Sequence, residues 1–189
     1  MGVDVALTIR PARPVEADEV ASLVRRAMAE YRASDPVVHE GYLAYSLDPA
    51  HAAGAEQLVA EADGRLLGAV LFLARARNRP GWPASAATFW TLVVDPTARR
   101  MGIGARLVEA CIDRARASGA RHLIIDTMPF LMSAEAFYGP FGFERWPDGD
   151  WDGTPVLRSI LGGREVPGTM LAAWRLALAA KPDRREEDS

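Results

Sequence analysis

The segment from Arg99 to Gly104 has the residue types of a phosphate-binding loop. It follows a predicted strand that ends at Val94 and precedes a predicted helix that begins near Gly102. The N–H groups in the first turn of a helix lack partners within the helix and favour an anion. Glycines let a phosphate approach the main chain, and Arg99 and Arg100 add positive charge. The sequence therefore predicts a phosphate site, and a glycine-rich loop that only tightens the turn is the alternative interpretation.

Two other glycine-rich nucleotide motifs fit this loop poorly. A Walker loop requires Gly-Lys-Ser/Thr, and the loop contains no lysine. A dinucleotide fingerprint requires a third glycine, but that position is Leu107. A nucleotide-binding domain of another fold is therefore disfavoured by the residues themselves.

Two segments resemble the signatures of the GCN5-related N-acetyltransferase (GNAT) superfamily. Arg99, Gly102 and Gly104 occupy the fixed positions of its motif Arg/Gln-x-x-Gly-x-Gly/Ala, and residues 136–144 resemble its second signature, a Tyr followed shortly by Gly-Phe. The resemblance covers residues 5 to 178. It implies the acyl-CoA N-acyltransferase fold and an enzyme that uses acetyl-CoA as a co-substrate.

The resemblance also implies where acetyl-CoA binds. In this family the pantetheine arm pairs with the exposed main chain of a central strand, which here corresponds to Leu92, Val93 and Val94. The amides that would bind the diphosphate belong to the loop and the start of the helix. They are those of Arg99, Arg100, Met101, Gly102, Ile103, Gly104 and Ala105.

The implied reaction is direct attack of a neutral amine on the thioester, which requires a general base and a general acid. Tyr138 matches the usual acid of the family, although a core tyrosine beside Phe137 is the alternative. Asp126 matches the position of a glutamate base in ribosomal-protein N-terminal acetyltransferases. Asp126 could instead be a group that anchors a loop, and a water chain would then serve as the base. Cys111 lies on the apolar stripe of a helix, which indicates a buried side chain and not a nucleophile.

The acceptor is expected to be a primary amine of a small molecule or of a protein N-terminus. Candidate lining residues are Tyr42, Tyr45, Trp90 and the stretch Trp146–Asp152, whose acidic and aromatic side chains would suit a cationic amine. An ordinary solvated loop is the alternative for that stretch. A CoA-binding module without catalysis is the alternative function, and a homodimer is expected by analogy alone.

The sequence departs from the family just before the second signature. Relatives often have an asparagine there, whereas this chain has the apolar run from Met128 to Met132. We therefore expect an unusually apolar wall at this side of the pocket, with Ser133 as the cap of the following helix.

The elements that must position these residues follow from periodicity. Helical spacing predicts helices over 15–31, 37–47, 102–118 and 133–138, and strand patterns cover 5–10, 57–62, 65–74, 86–94, 122–127, 141–146 and 169–178. Residues 147–167 are rich in Gly, Pro and Asp and predict a loop. The order predicts an α/β (α+β) fold with a mixed, mostly antiparallel sheet of about seven strands flanked by helices.

Composition sets the remaining expectations. The 189 residues indicate one domain over 5–180, followed by a charged tail over 181–189 that is expected to be disordered. A net charge of −3 argues against a nucleic-acid partner. One cysteine and three scattered histidines give no metal-ligand spacing, so no metal is expected. No stretch has the length of a membrane helix, and the lone cysteine suits a reducing bacterial cytoplasm.

Overall fold

The computed structural model describes residues 7–33, 35–76, 79–128 and 134–178. The predicted tail, Ser133 and most of the run after Met128 lie outside these ranges. The strands are β1 (Thr8–Pro11), β2 (Glu56–Ala62), β3 (Arg65–Leu73), β4 (Ala87–Val94), β5 (His122–Thr127), β6 (Glu144–Arg145), β7 (Trp151–Asp152) and β8 (Met170–Ala177). The α-helices are α1 (Ala17–Met28), α2 (Pro36–Leu47), α3 (Ile103–Ala117), α4 (Ala134–Tyr138) and α5 (Thr154–Ile160).

The strands form one mixed sheet in the order β1-β2-β3-β4-β5-β8-β6, and β7 also pairs with β8. Among the strands that the structure describes, only β4 and β5 pair in parallel. The mostly antiparallel mixed sheet is therefore confirmed, with eight strands in the described ranges. Because the chain enters β5 from α3, these two neighbours run in the same direction, as a βα unit requires.

Alternate residues of each strand face opposite layers of helices. Leu58 packs with α3 in the larger core, and its neighbour Val59 packs with α1 in a second core on the other face. A third cluster joins α2 to α5 through Val38 and Leu157. The sheet is thus covered by helices on both faces.

The prediction was wrong for the segment between 147 and 167. It contains β7 and the seven-residue helix α5 in place of a continuous loop. The predicted strand over 141–146 is reduced to Glu144–Arg145, because a short 3₁₀ turn over Gly139–Phe141 precedes it. Across the described ranges, each helix is too short or too polar to cross a bilayer.

Candidate active site

A cavity of about 540 Å³ lies where β4 and β5 separate. It extends from the first turn of α3 at one end to α5 at the other, and residues of both strands line it between them. This volume is in the range of sites that enclose a small organic ligand. The cavity brings together most of the residues that the sequence singled out.

The separation of the strands begins close to the start of β4. Parallel pairing joins Ala87 to Leu123 and Thr88 to Ile124 and then ends. From Phe89 onward, the side of β4 that faces β5 therefore has no strand partner among the residues that the structure describes. Leu92, Val93 and Val94 line the cavity in this unpaired part, so their main chain is available to an added extended chain, as the resemblance implies.

A bulge in β4 lies beside the opening. The pairing with β3 runs from Ala69 opposite Val93 to Leu71 opposite Trp90, so two residues of β4 face one residue of β3. Thr91 is one of the two, with a left-handed φ of 52° that a β-branched residue seldom adopts. Its hydroxyl donates a hydrogen bond of 3.0 Å to Ser46 Oγ on α2, which helps to hold the strained backbone in place.

The loop before α3 forms a concave row of main-chain donors. Arg100 and Gly102 have left-handed φ values of 63° and 77°, and Gly102 is the N-cap of α3. In the described residues, the N–H groups from Arg100 to Ala105 donate no hydrogen bond to a protein acceptor. Successive free N–H groups at the positive end of a helix dipole suit a phosphate. The arrangement therefore fits the predicted diphosphate.

The side chains of the loop before α3 differ in whether they contact the protein or solvent. Arg99 donates hydrogen bonds to Glu30 Oε2 at 2.7 Å and to the Ala27 carbonyl at 3.2 Å, which ties the loop to the end of α1. The bond to Glu30 raises the pKa of Arg99, so the guanidinium stays charged. Met101 does not line the cavity, and its side chain is 67% exposed. The other predicted residues of the loop, from Arg99 to Ala105, line the cavity.

Tyr138 lies at the end of α4, and its ring is enclosed by aromatic side chains. The ring centroid is 4.9 Å from that of Phe137, 5.6 Å from that of Phe143 and 6.1 Å from that of Phe89. Burial raises the pKa of Tyr138 above its ordinary value near 10, so the phenol is protonated at neutral pH. Tyr138 also lines the cavity. Its geometry suits a group that gives a proton to a leaving thiolate.

Asp126 lies on the opposite face of the sheet from Tyr138. Ile125 packs in the core under α3 together with Tyr138, and the next residue along β5 faces away from it. Asp126 Oδ2 accepts hydrogen bonds from Arg79 Nε at 3.0 Å and from Trp151 Nε1 at 2.9 Å. The carboxylate thus anchors two other elements, which is one of the alternatives that the sequence left open.

The expected acceptor wall is only partly present. Tyr42, Tyr45 and Trp90 line the cavity, but of Trp146–Asp152 only Trp151 does. Two of its three acids bind elsewhere, because Asp150 pairs with Arg145 and Asp152 accepts from the Thr154 amide. None of the three acids lines the cavity, so the stretch provides aromatic surface through Trp151.

Arg79 is the site residue that sequence reasoning missed. It lies between the strands predicted over 65–74 and 86–94, and its partner Asp126 lies 47 residues later, so no local pattern connects them. Met128 lines the cavity near this pair, as the apolar run predicted. Across the described part of the chain, no three His, Cys, Asp or Glu side chains are grouped as metal ligands would be.

Several solved structures with a similar fold are acetyltransferases. An N-acetyltransferase from Staphylococcus aureus Mu50 is 21% identical over 91% of this chain and 98% of its own, with a TM-score of 0.62. A putative acetyltransferase from Salmonella typhimurium, solved with its cofactor acetyl-CoA, is 20% identical over 95% and 99%, with a TM-score of 0.60. A GNAT family acetyltransferase from Brucella melitensis in complex with acetyl-CoA is 26% identical over 74% and 83%, with a TM-score of 0.57.

Sequence comparison gives the family directly. No curated protein matches the chain, but the profile of the acetyltransferase (GNAT) family matches residues 20–143. That region contains the loop before α3, the separated strands and Tyr138. It spans most of the chain, and the chain therefore belongs to the acetyltransferase (GNAT) family.

Proposed function

We propose that the protein is an N-acetyltransferase that moves the acetyl group of acetyl-CoA to a primary amine by direct attack. One observation carries this proposal: a single cavity joins the free amides at the start of α3, the unpaired side of β4 and Tyr138. Acetyl-CoA presents a diphosphate, an extended chain with amide groups and a thioester in the same order. The lining therefore matches the co-substrate group by group.

The main chain would hold the co-substrate. The N–H groups from Arg100 to Ala105 would bind the diphosphate, and the backbone from Leu92 to Val94 would pair with the pantetheine arm. Arg99 would support the loop through Glu30 and Ala27 while its charge contributes to the positive potential. In this arrangement the thioester lies in the part of the cavity that Tyr138 borders.

The reaction then needs one acid and one proton acceptor. The amine nitrogen bonds to the acetyl carbonyl carbon, the carbon–sulfur bond breaks, and the sulfur takes the phenolic proton of Tyr138. The acceptor ammonium gives up two protons in all. They pass to Asp126 Oδ1 or to water, and one of them finally replaces the phenolic proton while the other is released.

Replacement of Tyr138 by Phe tests the acid. Because the phenol would act only on the leaving group, we expect Tyr138→Phe to lower kcat by about 10²–10⁴-fold while the Kd for acetyl-CoA stays within about twofold. The measurements are CoA release with an amine panel and calorimetric titration of acetyl-CoA.

Tyr42→Phe is the matched comparison, because Tyr42 is a second tyrosine that lines the same cavity. We expect a far smaller loss of kcat for this variant. Equal losses in both variants would contradict the acid role. If the native protein bound acetyl-CoA but released no CoA with any amine, the chain would be a binding module without catalysis.

A further inference from the structure

The acceptor end of the cavity contains a buried guanidinium. Arg79 lies on the connection between β3 and β4, lines the cavity, and its side chain is only 16% exposed. Its Cζ is 4.4 Å from the centroid of the Trp151 ring and 5.9 Å from that of Tyr45. Two aromatic faces thus orient the planar group, which is the environment in which arginine recognises a planar anion.

The hydrogen bonds of Arg79 leave one arm available. Nε donates to Asp126 Oδ2 at 3.0 Å, and Nη2 donates to the Tyr45 hydroxyl at 3.1 Å. Trp151 Nε1 donates to the same oxygen of Asp126. Within the described ranges, neither Arg79 Nη1 nor Asp126 Oδ1 has a hydrogen-bond partner. The ion pair therefore leaves a cationic donor and an anionic acceptor without protein partners beside the cavity.

A third polar group without a partner belongs to the lining of the same cavity. The Nε1 atom of Trp90 is buried and has no partner in the described part of the chain. Continued parallel register from Thr88 opposite Ile124 would place Trp90 opposite Asp126. A buried polar group without a partner costs free energy, and this applies to Trp90 Nε1. Together with the available Arg79 Nη1 and Asp126 Oδ1, it indicates a polar ligand at this end of the cavity.

The charge pattern distinguishes the classes of amine. The pair Arg79–Asp126 has no net charge, and Asp150 and Asp152 are bound elsewhere. A polyamine would place only cations beside Arg79. A zwitterion would match both members of the pair, with its carboxylate on the guanidinium and its amine on the carboxylate.

The rest of this end is apolar. The side chains that line it come from β8, α5 and the end of β5, and they are Met128, Val156, Leu157 and Leu171. Such a surface favours an aliphatic or aromatic group over a polar one.

We propose that the acceptor is a free α-amino acid with an apolar side chain, bound through its carboxylate to Arg79 and through its amine to Asp126 Oδ1. This inference rests on the proposed N-acetyltransferase function and specifies its acceptor. Asp126 and Tyr138 face the opening between β4 and β5 from opposite sides of the sheet, so an amine at Asp126 lies on the side away from the leaving group. The product is an N-acetyl amino acid.

Matched acceptors test the carboxylate directly. CoA release is measured with leucine, leucinamide and 3-methylbutylamine, which share one side chain, and the acid–amide comparison is repeated for methionine and phenylalanine. We expect kcat/KM for each acid to exceed that of its amide by about 30-fold or more, because a site built to bond a group rejects the analogue that lacks it. The amide has the more readily deprotonated amine, so amine basicity cannot produce this preference.

Arg79→Lys then tests the residue. It retains the charge beside Asp126 but loses the planar fork. We expect the preference for acid over amide to fall to about threefold or less, through a higher KM for the acid, while the Kd for acetyl-CoA stays within about twofold of native. Arg114→Lys is the control, because Arg114 pairs with Glu56 and does not line the cavity. Acetyl-CoA binding verifies that each variant is folded.

The outcomes separate the two proposals. Equal rates for acids and amides, or turnover of other amines but of no amino acid, would overturn the amino-acid acceptor and leave the acetyltransferase intact. An Arg79→Lys variant that keeps the full preference would also overturn it. No acetyl-CoA binding, or no turnover of any amine, would remove both proposals.

Discussion

Gly102→Ala isolates the contribution of the loop before α3 to acetyl-CoA binding. Gly102 has a φ of 77°, and a Cβ built on it meets no protein atom within 4 Å. The protein itself therefore has room for the methyl group. The cost to the fold is the left-handed backbone alone, about 1–2 kcal/mol, which corresponds to a Tm lower by about 2–8 °C in a chain of this size.

Gly119 offers a matched control at the other end of the same helix. Its φ is 75°, and its Cβ would also lie in open space. Gly119→Ala should therefore lower the Tm by a similar amount. The two variants differ in one respect only, because Gly102 lies among the free amides that the proposed diphosphate would contact.

Binding should separate the two variants. We expect Gly102→Ala to raise the Kd for acetyl-CoA by about tenfold or more, since a lost contribution of about 1.4 kcal/mol has that effect, and Gly119→Ala to leave it unchanged. Scanning fluorimetry gives the Tm and isothermal calorimetry gives the Kd. If both variants weakened binding equally, or if neither did, the diphosphate would not lie on this loop.

Two further predictions concern buried groups. Cys111 is 0% exposed, and burial raises the pKa of its thiol to about 12. We therefore expect no reaction with a disulfide reagent in the native state and one reactive thiol per chain after denaturation. Rapid labelling of the native protein would contradict this. Asp95 accepts hydrogen bonds from the Thr97 hydroxyl and amide, and the pKa of its carboxyl is lowered chiefly by the hydroxyl. Because the pKa of this carboxyl is lower in the folded state, its ionised form stabilises the fold at pH values above the unfolded-state pKa near 4. This stabilisation is lost as the pH falls through the folded-state pKa. Asp95→Asn should therefore cost about 1–3 kcal/mol of unfolding free energy at pH 7 and progressively less as the pH is lowered below about 4. Urea denaturation measures this cost, and a cost that does not change with pH would refute the ionic origin.

The strongly periodic elements could be predicted from the sequence. The helix expected over 102–118 is observed as Ile103–Ala117, and the strand over 122–127 is observed as His122–Thr127. Each element buries one face of apolar side chains. These side chains recur along the sequence with the period of the element, so the pattern can be read without the structure. The loop before α3 was predictable for a related reason, because Gly102 has a left-handed φ of 77° that glycine adopts without strain, and this geometry is local to the loop.

The segment after 147 could not be predicted because distant contacts stabilise it. Residues Trp151–Asp152 pair with β8, and α5 contributes Leu157 to a cluster with Val38 of α2. Neither element is long enough to show a period. The same reason explains why Arg79 was missed, since its role depends on Asp126 and Trp151, which come from two other parts of the chain.

The bulge at Thr91 connects the two halves of the cavity. Phe89 packs in the core under α3, and strict alternation would place Thr91 and Val93 on that same face. Instead Leu92 and Val94 pack there, and Val93 packs with α1. One additional residue in β4 therefore reverses the faces of the strand between Trp90 and Leu92. Before the bulge, Trp90 lines the cavity together with Arg79 and Asp126, and after it the main chain leads toward the free amides of α3. The strained backbone of Thr91 thus lies at the point where the two faces of β4 exchange. A regular strand would have kept the same side chains on each face beyond the opening.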